Sequence, residues 1–354
     1  MKRLLLALAL GATALAGCDP KHSPDPVPTA SSTYVLSEGQ FGKGDGAVSA
    51  FNTITKAITV DAFGAANNGA KLGDVVQDMG IVGTRGYVCV NASGKVEVVS
   101  LPDFKSVATI TKIPQVRYFA STSATRGYVT SWRGPYTNYL PGKVIVLNLS
   151  TNTVIDSITV GRCPEQLTVL NGKLYVPNSY DNTISVIDAS TNQVTSTVTV
   201  GDGPRNVVAD QAGNIWALCS GFTVYNSSPP YNVISSTPAS LVRFAPASPS
   251  TLLTLPFSSG SPHQLRTSPD KTQLYYSYGG AEYQMSTSAT ALPTTPFIRR
   301  DFNGFAIDSR DNTIYGAVST GYTTNGYFLH YPAGGGKVID SVTVKVGPSG
   351  FVFY

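Results

Sequence analysis

Seven times along this chain a short apolar run carries an aromatic residue at one fixed place. The pairs are Tyr34-Val35, Tyr87-Val88, Tyr128-Val129, Tyr175-Val176, Ile215-Trp216, Tyr275-Tyr276 and Ile314-Tyr315. Their aromatic members stand 53, 41, 47, 41, 59 and 40 residues apart. A base period near 40 residues, with insertions, marks an array of one repeated unit. The clearest copy, residues 172–206, holds three short alternating strands and then stops at a Gly-Pro. Such a ribbon exposes two edges and cannot bury its own faces, so it needs its copies.

With a preceding strand included, each copy reads as four strands. In that copy they lie near 166–170, 173–177, 183–188 and 194–200. Runs such as "KVEVVS", "KVIVLNLS" and "TISVIDAS" alternate with period two between Gly, Asn-Gly or Asn-Thr turns, and helical spacing is absent. Seven four-stranded antiparallel sheets packed face to face around an axis hide most of their edges. The fold expected is therefore all-β, a seven-bladed β-propeller over residues 33–354. The first copy starts at its second strand, and the chain ends in "GPSGFVFY", which has first-strand character. Residues 350–354 are expected to complete the first blade and close the ring.

The N-terminus reads as processing signal. Lys2 and Arg3 precede an apolar run from Leu4 to Ala14 that is too short to span a bilayer. Leu15-Ala16-Gly17-Cys18 resembles a bacterial lipobox, which implies a signal peptide over 1–17, lipidation at Cys18 and a membrane anchor. Residues 18–32, with four prolines in "DPKHSPDPVPTASS", suit a tether. Only 13% of the chain is charged and the net charge is +4, too little basic character to hold a nucleic acid backbone. After Cys18 three cysteines remain, Cys89, Cys163 and Cys219, an odd set at irregular spacing. Cys89 and Cys219 lie in apolar strand patterns and are expected as buried free thiols.

Two features point to a ligand. In an up-and-down blade, the loops joining strands two and three share one face with the connections between blades. Here those loops are long: 37–46, 131–143, 220–240, 277–283 and 319–326. They carry, in or beside them, Phe41, Trp132, Tyr136, Tyr139, Tyr180, Phe222, Tyr225, Tyr231, Tyr278, Tyr283, Tyr322 and Tyr327. Tyr and Trp supply rigid contact area with a polar handle. Second, aligning the starts of the innermost strands places Gln77, Gln115, Glu165, Arg205, His263, Asn303 and Ser349 at one position. Asp78, Val116, Gln166, Asn206, Gln264, Gly304 and Gly350 follow at the next. The first set should ring the mouth of a central channel, and mixed donors and acceptors suit a polar ligand. The register can slip in the third blade, where Arg117 falls on an apolar position.

No HExxH, paired metal-ligand spacing, GxSxG elbow, phosphate loop or EF-hand loop occurs, so neither a metal nor another cofactor is expected. A channel-mouth hydrolase or lyase would have to use Glu165 and His263 as acid and base. It ranks third, behind a non-enzymatic small-ligand binding protein and behind an adhesion or scaffold propeller gripping protein or glycan.

"LYVPNSYDNTISVIDASTNQVTSTVTVGDGPRN" resembles the YVTN-type β-propellers, and the resemblance extends over nearly all of residues 33–354. "YVLSEGQFGKGDGAVSAFN" (34–52) looks like the opening blade of surface propeller lipoproteins of Bacteroidetes, with Ser37 where those usually carry Asn. Those relatives include a corrinoid-capturing lipoprotein that partners a TonB-dependent vitamin B12 transporter. The resemblance implies cobalamin or another corrinoid as ligand, an outer-membrane transporter as partner, and an outer-membrane location at the cell surface. The residues expected to meet the ligand are Gln77, Gln115, Glu165, Gln166, Arg205, Asn206, His263, Gln264 and Asn303 of the ring, with Phe41, Trp132, Tyr136, Tyr180, Phe222, Tyr278 and Tyr322 of the loops.

Overall fold

The computed structural model describes residues 32–135 and 138–354. The expected signal peptide, the expected lipidation site Cys18, the expected tether as far as Ser31, and Tyr136 lie outside the described residues. Seven antiparallel sheets succeed one another in chain order. The second to fifth are built on inner strands Val76–Val82, Val116–Ser121, Thr168–Leu170 and Pro204–Ala209, and the last two on His263–Thr267 and Gly304–Ile307. The first blade takes its inner strand, Pro348–Phe353, from the chain's end and pairs it with Ser32–Ser37. Ring closure thus occurs as expected, two residues earlier than the sequence suggested.

The aromatic repeat explains the ring. On each second strand the aromatic residue faces the following blade, and its chain neighbour faces the preceding one. Tyr34 packs with Val76 and Val88 of the second blade, while Val35 packs with Tyr315 and Phe328 of the seventh. Seven apolar clusters result, one at each seam between blades. Tyr128 donates its hydroxyl to the Ala189 carbonyl at 3.1 Å, in the third turn of the next blade, and Tyr87 reaches Leu149 in the same way at 3.4 Å. A buried aromatic ring with its polar tip satisfied adds apolar burial without an orphaned hydroxyl. Trp216 meets the same need within its own blade, donating Nε1–H to Asp210 at 2.9 Å.

The turns follow from Asn and Asp chemistry. Asn148 accepts the amides of Ser150 and Thr151, and Asp188 that of Ser190, with Asn152 (φ 54°) and Asn192 (φ 58°) left-handed. Two local features depart from the regular pattern. The sixth blade has three strands, not four. Beyond Ala281–Ser286 its outer place is taken by an irregular stretch with one bridge, Glu282 to Ile298. Pro293 and Pro296 interrupt that stretch, and proline cannot donate to a ladder. Among the described residues there is also one short helix, Ala62–Ala66, capped by Asp61 accepting from the Gly64 amide at 2.8 Å. Cys89, Cys163 and Cys219 are free and buried. Among the described residues no helix is long and apolar enough to cross a membrane.

Candidate functional site: the loop face and axial mouth

Where the inner strands begin, the ladder is broken in the same place in five blades. Register shifts fall between Val76 and Asp78, Val116 and Phe119, Pro204 and Asn206, His263 and Arg266, and opposite Leu36/Ser37 at Pro348–Gly350. A bulge re-aims the extra side chain. Here Gln77, Arg117, Arg205, Gln264 and Ser349 turn toward the axis and line a cavity of about 220 Å³. Glu38, Glu165, Asn206, His263, Arg266 and Asn303 also line it.

The third blade departs from the sequence alignment. Gln115 does not join the ring. Its Nε2 donates to the Gly134 carbonyl at 3.1 Å, and Arg117 takes the axial place. The bulge shifts the ring position by two residues, which resolves why a cation stood on an apolar position. Arg117 makes a two-oxygen ion pair with Glu165, at 3.0 and 3.1 Å from Nη2, and also donates to the side-chain oxygen Oε1 of Gln77. Its guanidinium lies 4.3 Å from the centre of the Trp132 ring. Burial raises the Glu165 pKa, and Arg117 opposes this.

Deeper, Arg266 crosses the axis from the sixth blade to the fourth, donating to Gln166 at 2.9 Å and to the Phe305 carbonyl at 3.1 Å. Gln166 also accepts from Asn206 at 2.6 Å. These contacts floor the cavity. Asp78 is pushed up to about 6 by burial, with the Phe119 amide the leading opposing bond. Gln264 donates to the Phe302 carbonyl at 2.5 Å, and Asn303 accepts the Ser319 amide at 2.9 Å. At the rim, Arg205 is exposed and bonds Ser220 at 3.1 Å, and His263 Nε2 lies 3.3 Å from Asp301. Glu165 and His263, the acid–base pair an enzyme would use, are thus committed to different partners.

The loop aromatics divide into three groups. Trp132, Tyr139, Tyr180 and Phe222 form a continuous edge-to-face file with centroids 5.5, 4.7 and 5.7 Å apart. This shelf runs over blades three to five beside the mouth, and Tyr180 remains 44% exposed. Phe41 and Tyr322 stand exposed around a second cavity, of about 350 Å³, which adjoins the axial one through Glu38, Gln77 and Arg117. Tyr278, in contrast, folds back onto Phe257 and Tyr283 and bonds Ser258, so it supports its own blade. Glu38 escaped the sequence reading because it follows a second strand, outside the alignment of inner strands.

Fold and site together define a seven-bladed propeller with a polar axial mouth and an aromatic shelf on one face. The chain belongs to the family described as domain of unknown function (DUF5074), which matches residues 31–298. No curated protein matches the sequence. Among solved structures, a quinonprotein alcohol dehydrogenase-like protein from Bacteroides thetaiotaomicron is similar at 15% identity, over 92% of this chain and 78% of that chain, with a TM-score of 0.67. A functionally unknown protein from Desulfotomaculum acetoxidans is similar at 12% identity, over 91% and 98%, with a TM-score of 0.64. Kuenenia stuttgartiensis hydrazine synthase is similar at 14% identity, over 88% and 96%, with a TM-score of 0.58. At these identities the likeness concerns the fold alone.

Proposed function

We propose that this propeller is a lipid-anchored surface protein that binds a broad amphipathic ligand, a corrinoid such as cobalamin, on its loop face. It would then hand that ligand to a TonB-dependent transporter of the outer membrane. The observation that carries the reading is the Trp132–Tyr139–Tyr180–Phe222 shelf beside the axial mouth. A corrin is wide, apolar in its middle and edged with amides. It is far too large for a cavity of about 220 Å³, so it would lie across the shelf. Its edge amides would meet Arg205, Asn303 and His263 at the rim.

The adhesion or scaffold reading has its own support. Within the loop of the fifth blade, Thr223–Tyr225 and Val233–Ser236 pair as a separate hairpin. Val224, Tyr225, Tyr231, Val233 and Ile234 are each at least half exposed there. An apolar patch of that kind suits a protein partner, and in the delivery scheme it would be the transporter contact. Calorimetric titration of the purified protein with cyanocobalamin tests the primary reading. Saturable heat supports it, and no heat at micromolar protein removes it.

A further inference from the structure

The second cavity of the loop face is chemically one-sided. It sits among blades one, two and three, with Glu38, Gln77, Asn91, Gln115 and Arg117 on its polar side and Phe41, Trp132 and Tyr322 on its aromatic side. Its amide and indole donors are engaged. Asn91 Nδ2 donates to the Val116 carbonyl at 2.8 Å, Gln115 Nε2 to Gly134 at 3.1 Å, Trp132 Nε1 to Pro164 at 3.1 Å and Gln77 Nε2 to Tyr118 at 3.3 Å. Because the first two bonds end on backbone carbonyls, the amide orientations are fixed. The side-chain oxygens of Asn91 and Gln115 therefore face out without a donor. The half-buried Glu38 carboxylate makes no hydrogen bond among the described residues; burial raises its pKa and Arg117, which lines the same cavity, opposes this, while the Arg117 donors go to Glu165 and Gln77. The walls are set in place. The Gly42 amide donates to Asp74 at 2.8 Å, anchoring the Phe41 loop. Val75 (φ 58°) and Gln115 (φ 44°) hold left-handed conformations that cost a branched or long residue strain.

We infer that this cavity is a subsite for a protonated primary amine. An ammonium group brings three N–H donors and no acceptor, which complements three free acceptors, one of them charged. Aromatic walls favour the cation and its carbon stem. The inference rests on the reading of the loop face as a ligand face and not on which ligand the shelf holds.

The test uses the fluorescence of Trp132. The chain has two tryptophans, and Trp216 is fully buried, so a ligand-dependent change reports the cavity. The probes are 2-phenylethylamine and its neutral counterpart 2-phenylethanol at neutral pH. The amine should bind at least about tenfold more tightly than the alcohol, and Glu38→Gln should weaken the amine at least about tenfold while leaving the alcohol unchanged. Tyr322 is 81% exposed, so Tyr322→Ala should keep the parent's urea midpoint and weaken the amine several-fold. Equal binding of amine and alcohol, an undiminished amine in Glu38→Gln, or no response to the amine overturns the inference. Cyanocobalamin titrated into the same Glu38→Gln protein separates the two proposals. Lost amine preference supports the subsite whether or not the corrinoid binds, and failure of the amine arm removes the subsite alone.

Discussion

Glu165→Gln isolates the contact that organises the axial mouth. The Glu165 side chain is 4% exposed and that of Arg117 is 17% exposed, so neither charge is fully solvated. Glutamine keeps the shape but turns an amide N–H₂ toward the guanidinium and removes the compensating charge. Breaking one partner of a buried pair costs about 3–5 kcal/mol. Arg117 keeps the Gln77 oxygen and the Trp132 face, which places the expected loss at the lower end, about 3 kcal/mol. The double variant Arg117→Met/Glu165→Leu removes both charges and should recover to within about 1 kcal/mol of the parent, since a buried pair roughly breaks even with apolar replacements. Urea unfolding of the parent, Glu165→Gln and the double variant measures this directly. A Glu165→Gln protein within about 0.5 kcal/mol of the parent would mean that water screens the pair, and the reasoning would fail.

Three further outcomes are expected. Deleting residues 348–354 removes the strand that pairs Ser32–Ser37 and strips Phe351 and Phe353 from Tyr315, at 5.6 and 5.3 Å; near-UV circular dichroism should show loss of fixed packing, and a cooperative parent-like transition would contradict ring closure. Glu282 is fully buried and pushed up to about 8 by burial, against its bonds from Ser277. A folded pKa above the unfolded value gives stability that is complete below the ordinary glutamate range and is lost as pH rises through about 8, so urea midpoints should fall across that window in the parent and stay flatter in Glu282→Gln. Cys18→Ser should move the protein from the membrane fraction to the soluble one, and an unchanged distribution would end the lipid-anchor proposal.

The ring was legible because one aromatic residue does the same job in every blade, facing the next sheet from the second strand. Closure was legible because the first copy lacked a strand and the end of the chain supplied one. What stayed hidden depended on local backbone geometry. A bulge offsets Arg117 from Gln115 by two residues, and linear alignment counts positions without seeing which side chain the bulge aims inward. The missing fourth strand of the sixth blade was foreshadowed by Pro293 and Pro296 within "STSATALPTTPFIRR", a stretch with no alternation. Tyr278 and Phe222 read alike as loop aromatics, yet packing on Phe257 takes the first out of the site and leaves the second in the shelf.

Visible-absorbance titration of cyanocobalamin with the parent and with Tyr180→Ala/Phe222→Ala tests the proposed grip of the aromatic shelf on its ligand. Saturation in the parent and affinity lower by at least about tenfold in the double variant is the predicted result. Equal affinity in both proteins, or no spectral change in the parent at micromolar concentration, would contradict it.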